Sequence, residues 1–171
     1  AHKNMHNSAI FIEEAKIIHQ YDKILLPSYG VFDEHRYFIP GKKSSIIRWR
    51  GLNIALTICE DIWYFPENNE HSFENNPILQ LKKNKLDLLI NISASPFEQD
   101  KQDLRKKLFA KVSSYLDCPL VFCNQWGGED HLLFDGASLF IDSRSKQYFQ
   151  ARSFCDDFLV CNLSSDRTLS S

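Results

Sequence analysis

Apolar residues along this chain change period several times, and the changes mark out its elements. Residues 8–12 (Ser-Ala-Ile-Phe-Ile) and 17–26 (Ile-Ile-His-Gln-Tyr-Asp-Lys-Ile-Leu-Leu) read as strands. The charged turn Glu13-Glu14-Ala15-Lys16 between them predicts a hairpin. Pro27 ends the second strand, and residues 27–41 form an aromatic-rich loop closed by Pro40-Gly41. Strands are expected over 45–50 and 52–58, split by Gly51, followed by a loop over 64–77 with two prolines and four asparagines. A helix over 77–87 should carry Ile78, Leu81 and Leu86 inward, and residues 86–92 read as a buried strand. Leu104, Leu108, Val112 and Leu116 recur every four residues and, with Phe109 and Tyr115, predict a helix over 99–116. A strand at 119–123, a glycine loop, and strands near 136–142 and 157–163 follow; residues 164–171 read as a linker or tail. Strands interleaved with two helices predict an α/β layered domain spanning residues 1–163.

Composition narrows this picture mainly by exclusion. With 43% hydrophobic and 25% charged residues, the 171-residue chain has the make-up of one globular domain. A formal net charge of -2 gives no electrostatic case for nucleic acid or an anionic membrane. The cluster Lys82, Lys83, Lys85 reads as a solvated helix face. No apolar run approaches the ~20 residues of a membrane span, and residues 1–7 show no secretory pattern. A cytoplasmic setting is expected. The five cysteines are odd in number and include no C-x-x-C pair, which argues against a disulfide framework or a zinc cluster. Among the histidines only His2 and His6, in a polar terminal segment, have i, i+4 spacing, so no metal is expected.

Candidate chemistry begins at residues 54–63, Ile-Ala-Leu-Thr-Ile-Cys-Glu-Asp-Ile-Trp, an apolar strand that stops at Cys59 with two acids behind it. A thiol at a strand end suits a nucleophile at the mouth of a site, while free cysteines are also commonly buried and inert. Lys23 either faces solvent or projects its ammonium into a site from a rigid element. The loop after it packs four aromatics and alternating charges, a density that usually lines something. Gly127-Gly128 is followed by no helix signature, so a tight turn is favoured over a phosphate cradle.

Three segments bring in a family resemblance: Lys-x-x-Leu-Pro-x-Tyr-x-Val-Phe-Asp-Glu-x-Arg-Tyr-Phe from Lys23, Cys-Glu-Asp-Ile-Trp from Cys59, and Ser-x-Ser-Pro-Phe from Ser93. Together they resemble the nitrilase, or carbon–nitrogen hydrolase, superfamily. Asn124-Gln-Trp-Gly-Gly-Glu-Asp130 and Phe134-Asp-Gly-Ala-Ser-Leu-Phe140 are similar to one branch, the glutaminase domains of glutamine-dependent NAD synthetases. The resemblance covers most of residues 8–163 and implies an α-β-β-α sandwich. It assigns Cys59 as the nucleophile that forms a glutamyl thioester, Lys23 as the cation beside the oxyanion and thiolate, and Glu34 as a carboxylate that holds Lys23. It places Tyr29, Ser95 and Lys101 at substrate-binding positions, with Glu60 and Trp63 shaping the wall; Trp63 also suits an ordinary core aromatic, and Lys101 a surface position opening the helix.

The family's general-base glutamate lies on an earlier element, and no position here matches it; Glu13 and Glu14 fall in the hairpin turn. The expectation is therefore a sandwich lacking its first βα elements, inactive alone, exposing apolar sheet surface and prone to homo-oligomer contacts. Asp100 stands where the family has glycine, and Trp126 where the branch has a smaller apolar residue. The implied function is release of ammonia from glutamine to a synthetase domain, outside this chain, that makes NAD from deamido-NAD with ATP and Mg; no P-loop motif occurs here. No cofactor is expected in this chain. The alternatives are a stand-alone amidase or nitrilase on another small amide, and a non-catalytic interaction module.

Overall fold

A computed structural model describes residues 5–63, 76–142, 144, 147–164, 166 and 168–170. The expected loop over 64–77 thus falls mostly outside the described residues. Six strands form the main sheet in the order β10-β9-β6-β5-β4-β3. They are β3 (Ile46–Trp49), β4 (Leu52–Ile58), β5 (Leu88–Ser93), β6 (Leu120–Asn124), β9 (Leu139–Asp142) and β10 (Gln147–Gln150). The three central strands β4, β5 and β6 run parallel. Helices α2 (Pro77–Leu81) and α3 (Lys101–Leu116) lie on the connections between them.

Strand alternation sends successive residues to opposite faces, and it divides the core in two. Ala55, Leu89, Leu120, Phe122, Leu139 and Ile141 meet the helices through Ile78, Leu81, Phe109 and Val112. On the other face Ile47, Ile54, Leu56 and Ile58 meet the hairpin formed by β1 (Ser8–Glu13) and β2 (Lys16–Asp22), through Ala9 and Tyr21. Helices, main sheet and hairpin are the first three layers of the expected sandwich. Apolar sheet surface is exposed, as expected: Ile10, Ile12, Ile17 and Ile18 of the hairpin are 45–63% accessible. The β3–β4 turn holds Arg50 and Gly51 at φ 47° and 82°. Two successive positive φ values match the twist of a tight hairpin, and Gly51 supplies one of them without a Cβ penalty.

Several elements differ from expectation for identifiable reasons. β2 ends at Asp22 rather than residue 26, because the Ile24 and Leu25 amides leave the ladder and donate to the Asp61 carboxylate. α2 stops at Leu81; the Asn84 amide caps Leu81 in a turn, and Leu86 still reaches the core ahead of β5. The glycine pair does not form the turn but lies on β7 (Trp126–Glu129), paired with β8 (Leu132–Asp135); Asp130 at φ 51° takes the turn. Of the strand expected at 157–163 only β11 (Asn162–Leu163) forms, against β12 (Leu169–Ser170) in the expected tail. Asp157 captures the Arg152 and Phe158 amides, and Phe158 is 88% exposed. The edge strand β10 had too short an apolar signal to predict.

Within α3 the leucine row follows the core face at Leu116, Val112 and partly Leu108, but not at Leu104. Arg105, Phe109, Val112, Ser113 and Leu116 are buried, whereas Leu104 is 54% exposed. A four-residue repeat drifts by ~40° per step around a helix of ~3.6 residues per turn, so a row that starts inward at Leu116 has left the core by Leu104. Phe109→Ala is expected to cost about 3–5 kcal/mol and Leu104→Ala less than about 0.5 kcal/mol in urea unfolding. The reverse ranking would restore the leucine row to the core.

Candidate active site

The carboxyl ends of the three parallel strands open into one cavity of about 460 Å³. Ligands in open α/β sheets characteristically bind at this edge. Ile58 and Cys59 follow from β4, Ile92 to Ala94 from β5, and Cys123 to Gln125 from β6. Lys23, Phe32 and Glu34 enter from the hairpin side. Residues 36 apart in sequence, Lys23 and Cys59, thus face the same space.

Cys59 begins a 3-10 turn (Cys59–Ile62) directly off β4 and takes φ 44°. That left-handed conformation is uncommon for a side-chain-bearing residue and makes the sharp turn that presents the thiol to the cavity. The Asn91 amide donates to the Cys59 carbonyl (3.4 Å) and to Thr57 Oγ1 (3.0 Å), and Ser93 Oγ donates to Asn91 Oδ1 (2.7 Å). Burial pushes the Cys59 thiol above its ordinary pKa; the Lys23 ammonium opposes it, Glu60 and Glu34 reinforce it, and a hydrogen bond with Ser93 lowers it. The thiol is therefore protonated at neutral pH until something else relieves it, and Lys23 is the main charge that favours the thiolate.

Lys23 is 1% exposed, so its ammonium must be paired. Its Nζ donates to Glu34 Oε1 at 2.6 Å. Glu34 opens the short helix α1 (Glu34–Tyr37), and its Oε2 is buried with no hydrogen-bond partner. The backbone around Lys23 is fixed as well: its amide donates to Asn7 O (2.8 Å), and Gly41 N donates to its carbonyl (2.7 Å). Gly41 is required there, since a Cβ would sit 2.1 Å from the Asp22 carbonyl oxygen.

The remaining sequence candidates are distributed around this centre. Tyr29 OH donates to Glu60 Oε2 at 2.7 Å, and both line a second cavity of about 320 Å³ with Ile24 to Leu26. Burial raises the Glu60 pKa, while Tyr29, Lys23 and Lys101 pull it down and Glu34 pushes it up. Lys101 Nζ pairs with Glu98 (2.6 Å) and lies 5.9 Å from the Trp63 ring centroid. Trp63 also packs edge-on against Phe109 of the core. Asp100 takes φ 62°, a conformation that suits the glycine it replaces. Ser95 does not line the cavity: it is buried, its Oγ accepts from Arg105 (3.1 Å), and its amide donates to Asn124 Oδ1 (2.9 Å). Trp126 is 45% exposed, and its indole N–H donates to Asp156 (2.6 Å).

Sequence reasoning missed four participants. Asn91 and Ser93 support Cys59 from below. A polar residue inside the apolar run Leu88-Leu-Ile-Asn-Ile92 was the available signal for Asn91. Gln125 lines the cavity and gave no signal. Asp61, fully buried, accepts four hydrogen bonds from the two segments that carry Lys23 and Cys59. Burial raises its pKa to about 6 against hydrogen bonds from Leu25, Ile58 and Tyr21. A folded pKa above the unfolded value means that Asp61 favours folding fully below about 3.8, and that this contribution is lost as pH rises through about 6. Among the described residues no group of three His, Cys, Asp or Glu could hold a metal ion.

Comparison with known proteins gives concordant matches. The carbon–nitrogen hydrolase family model matches residues 1–152. The chain is 37% identical over 164 residues to the glutamine-dependent NAD(+) synthetase of Synechocystis sp., covering 92% of this chain and 28% of that protein. It is 32% identical over 167 residues to the enzyme of the same name from Thermotoga maritima, covering 98% and 28%. The chain thus spans somewhat over a quarter of the length of these curated relatives. The structure of glutamine-dependent NAD+ synthetase from Acinetobacter baumannii superposes with a TM-score of 0.83 at 32% identity, over 96% of this chain and 29% of that one. An amidase from Nesterenkonia sp. shares the fold, with a TM-score of 0.62 at 21% identity over 81% of this chain and 49% of its own.

Proposed function

The chain belongs to the carbon–nitrogen hydrolase family, and on that premise we propose that it is the glutamine-hydrolysing part of a glutamine-dependent NAD synthetase. The observation that carries this reading is the shared cavity of Cys59, Lys23 and Glu34. The second cavity, where Tyr29 bonds Glu60 and the charge of Lys101 acts on Glu60, offers polar groups suited to the amino and carboxylate ends of an amino acid.

In this mechanism the Cys59 sulfur attacks the side-chain amide carbon of glutamine, and the carbonyl π electrons move to oxygen. The Lys23 ammonium stabilises that oxyanion, as preorganised charge does in a water-poor site. Collapse breaks the C–N bond; the nitrogen takes up a proton and leaves as ammonia, and a glutamyl thioester remains on Cys59. Water then releases glutamate and returns the thiol. Glu34 holds Lys23 in position throughout. The proton relay falls, in the family resemblance, to the upstream glutamate that no position here matches. Ammonia passes to a synthetase domain that amidates deamido-NAD with ATP and Mg; no described cluster fits a metal, and no step here runs through either. A cytoplasmic setting belongs to the same proposal. Among the described residues, no helix is long and apolar enough to cross a membrane.

The test needs no turnover. A chloroketone analogue of glutamine should alkylate Cys59 at least about tenfold faster than the other four cysteines, because a bound analogue is held beside that thiol. Glutamine should protect and acetamide should not. Equal protection by acetamide would favour a general small-amide hydrolase. Indiscriminate labelling of all five thiols would favour a non-catalytic module.

A further inference from the structure

Lys23 and Cys59 belong to different sheets. Lys23 follows β2 of the two-stranded hairpin, and Cys59 follows β4 of the six-stranded sheet. No ladder of backbone hydrogen bonds joins these two sheets. Side-chain bonds cross between them at Trp49–Glu13 (2.8 Å) and His19–Ser45 (2.8 Å), toward the hairpin tip; nearer the site, what packs them together is apolar contact through Ala9, Tyr21, Ile54, Leu56 and Ile58. Such contact is non-directional and does not set register by itself. Yet the chemistry is sensitive to register, since a misplacement of ~1 Å can cost on the order of 10²-fold in rate.

Asp61 supplies directionality next to the site itself. Asp61 Oδ1 accepts from the amides of Ile24 (3.1 Å) and Leu25 (2.8 Å), the two residues after Lys23. Asp61 Oδ2 accepts from the amide of Ile58 (3.0 Å), the residue before Cys59, and from the Tyr21 hydroxyl (2.8 Å). Resting on the glutaminase reading, we infer that Asp61 is a positioning residue whose carboxylate clamps the Lys23 segment to the Cys59 segment and so fixes the ammonium against the thiol. A carboxylate is needed because all four donors point at acceptor oxygens; an amide offers one oxygen and turns an N–H₂ toward two of them. The same bonds explain why β2 stops at Asp22: the Ile24 and Leu25 amides are committed to the clamp.

The experiment measures Cys59 in this chain by peptide mass spectrometry. Its readouts are the rate of labelling by the glutamine chloroketone and the pH midpoint of alkylation by iodoacetamide. Asp61→Asn should slow chloroketone labelling at least about tenfold, in line with the cost of misplacement, and raise the alkylation midpoint. Tyr21→Phe removes one of the four bonds and should slow labelling about two- to fivefold on the same argument. Val112→Ala, a core truncation on the helix face, should lower stability yet leave both readouts within about twofold, as expected for a distant independent site. Wild-type labelling in both clamp variants overturns the inference, and so does slowing by Val112→Ala as large as that by Asp61→Asn. If Asp61→Asn fails to fold, Tyr21→Phe decides by the same criterion. Failure of glutamine to protect wild-type Cys59 overturns the glutaminase reading instead. The iodoacetamide midpoints do not depend on glutamine and still test the clamp.

Discussion

Lys23→Met is expected to reduce ammonia release from glutamine by the full gene product about 10²–10³-fold, the loss that follows removal of one preorganised oxyanion donor. The effect is large because the ammonium has no substitute. Lys23 is 1% exposed, so water does not replace its charge, and its partner Glu34 is left as a half-buried carboxylate whose buried Oε2 has no hydrogen-bond partner among the described residues. Cys59 loses the chief influence opposing its desolvation, while Glu60 and Glu34 continue to disfavour the thiolate. Lys23→Arg should not rescue, because a planar guanidinium does not fit the site of a compact ammonium bonded to Glu34 at 2.6 Å. Activity within about threefold of wild type in Lys23→Met, too small for a lost donor, would remove Lys23 from the mechanism.

The second large effect is on stability. Arg105, 1% exposed on α3, donates from Nη1 to both carboxylate oxygens of Asp135 (2.8 and 2.9 Å), which is fully buried on β8. Its other nitrogen donates to Ser95 O (2.9 Å) and Pro96 O (3.2 Å), which ties the segment after β5 to the helix. Arg105→Met leaves the fully buried Asp135 without its counter-charge, with only Gln102 (2.8 Å) and Asn124 (3.5 Å) still donating to it, and should cost about 3–5 kcal/mol in denaturant unfolding. The double variant with Asp135→Leu should recover much of that loss, because removing both charges removes the uncompensated one. Equal destabilisation in the single and double variants would mean that packing, not charge, accounts for the effect.

How far these features were legible in the sequence depended on how local their causes are. The hairpins and the parallel strands followed from alternation and turn residues, which act within a few positions. The ends of elements did not, because they are set by distant partners. Asp61 claims two amides from the strand that was expected to run to residue 26, and Asp157 takes the Phe158 amide from the strand expected at 157–163. The inward face of α3 was legible at Phe109, Val112 and Leu116, but Leu104 was placed inside and Arg105 was missed for a related reason. A buried arginine looks polar in a sequence, and only Asp135, 30 residues away, makes its burial sensible. For the site, motif resemblance pointed to Cys59, Lys23 and Glu34, which the fold brings to one cavity. The residues that hold them there are ordinary in type and were invisible singly: Asn91 and Ser93 under Cys59, Asp61 between the sheets.

The most direct test is the pH profile of Cys59 alkylation in wild type and Lys23→Met, with each cysteine resolved by peptide mass. A cation that opposes desolvation keeps the thiolate available at lower pH, so the Cys59 midpoint should rise in Lys23→Met while that of Cys161, outside this cavity, stays in place. Coincident Cys59 midpoints in the two proteins would contradict the coupling of ammonium and thiol on which the mechanism stands.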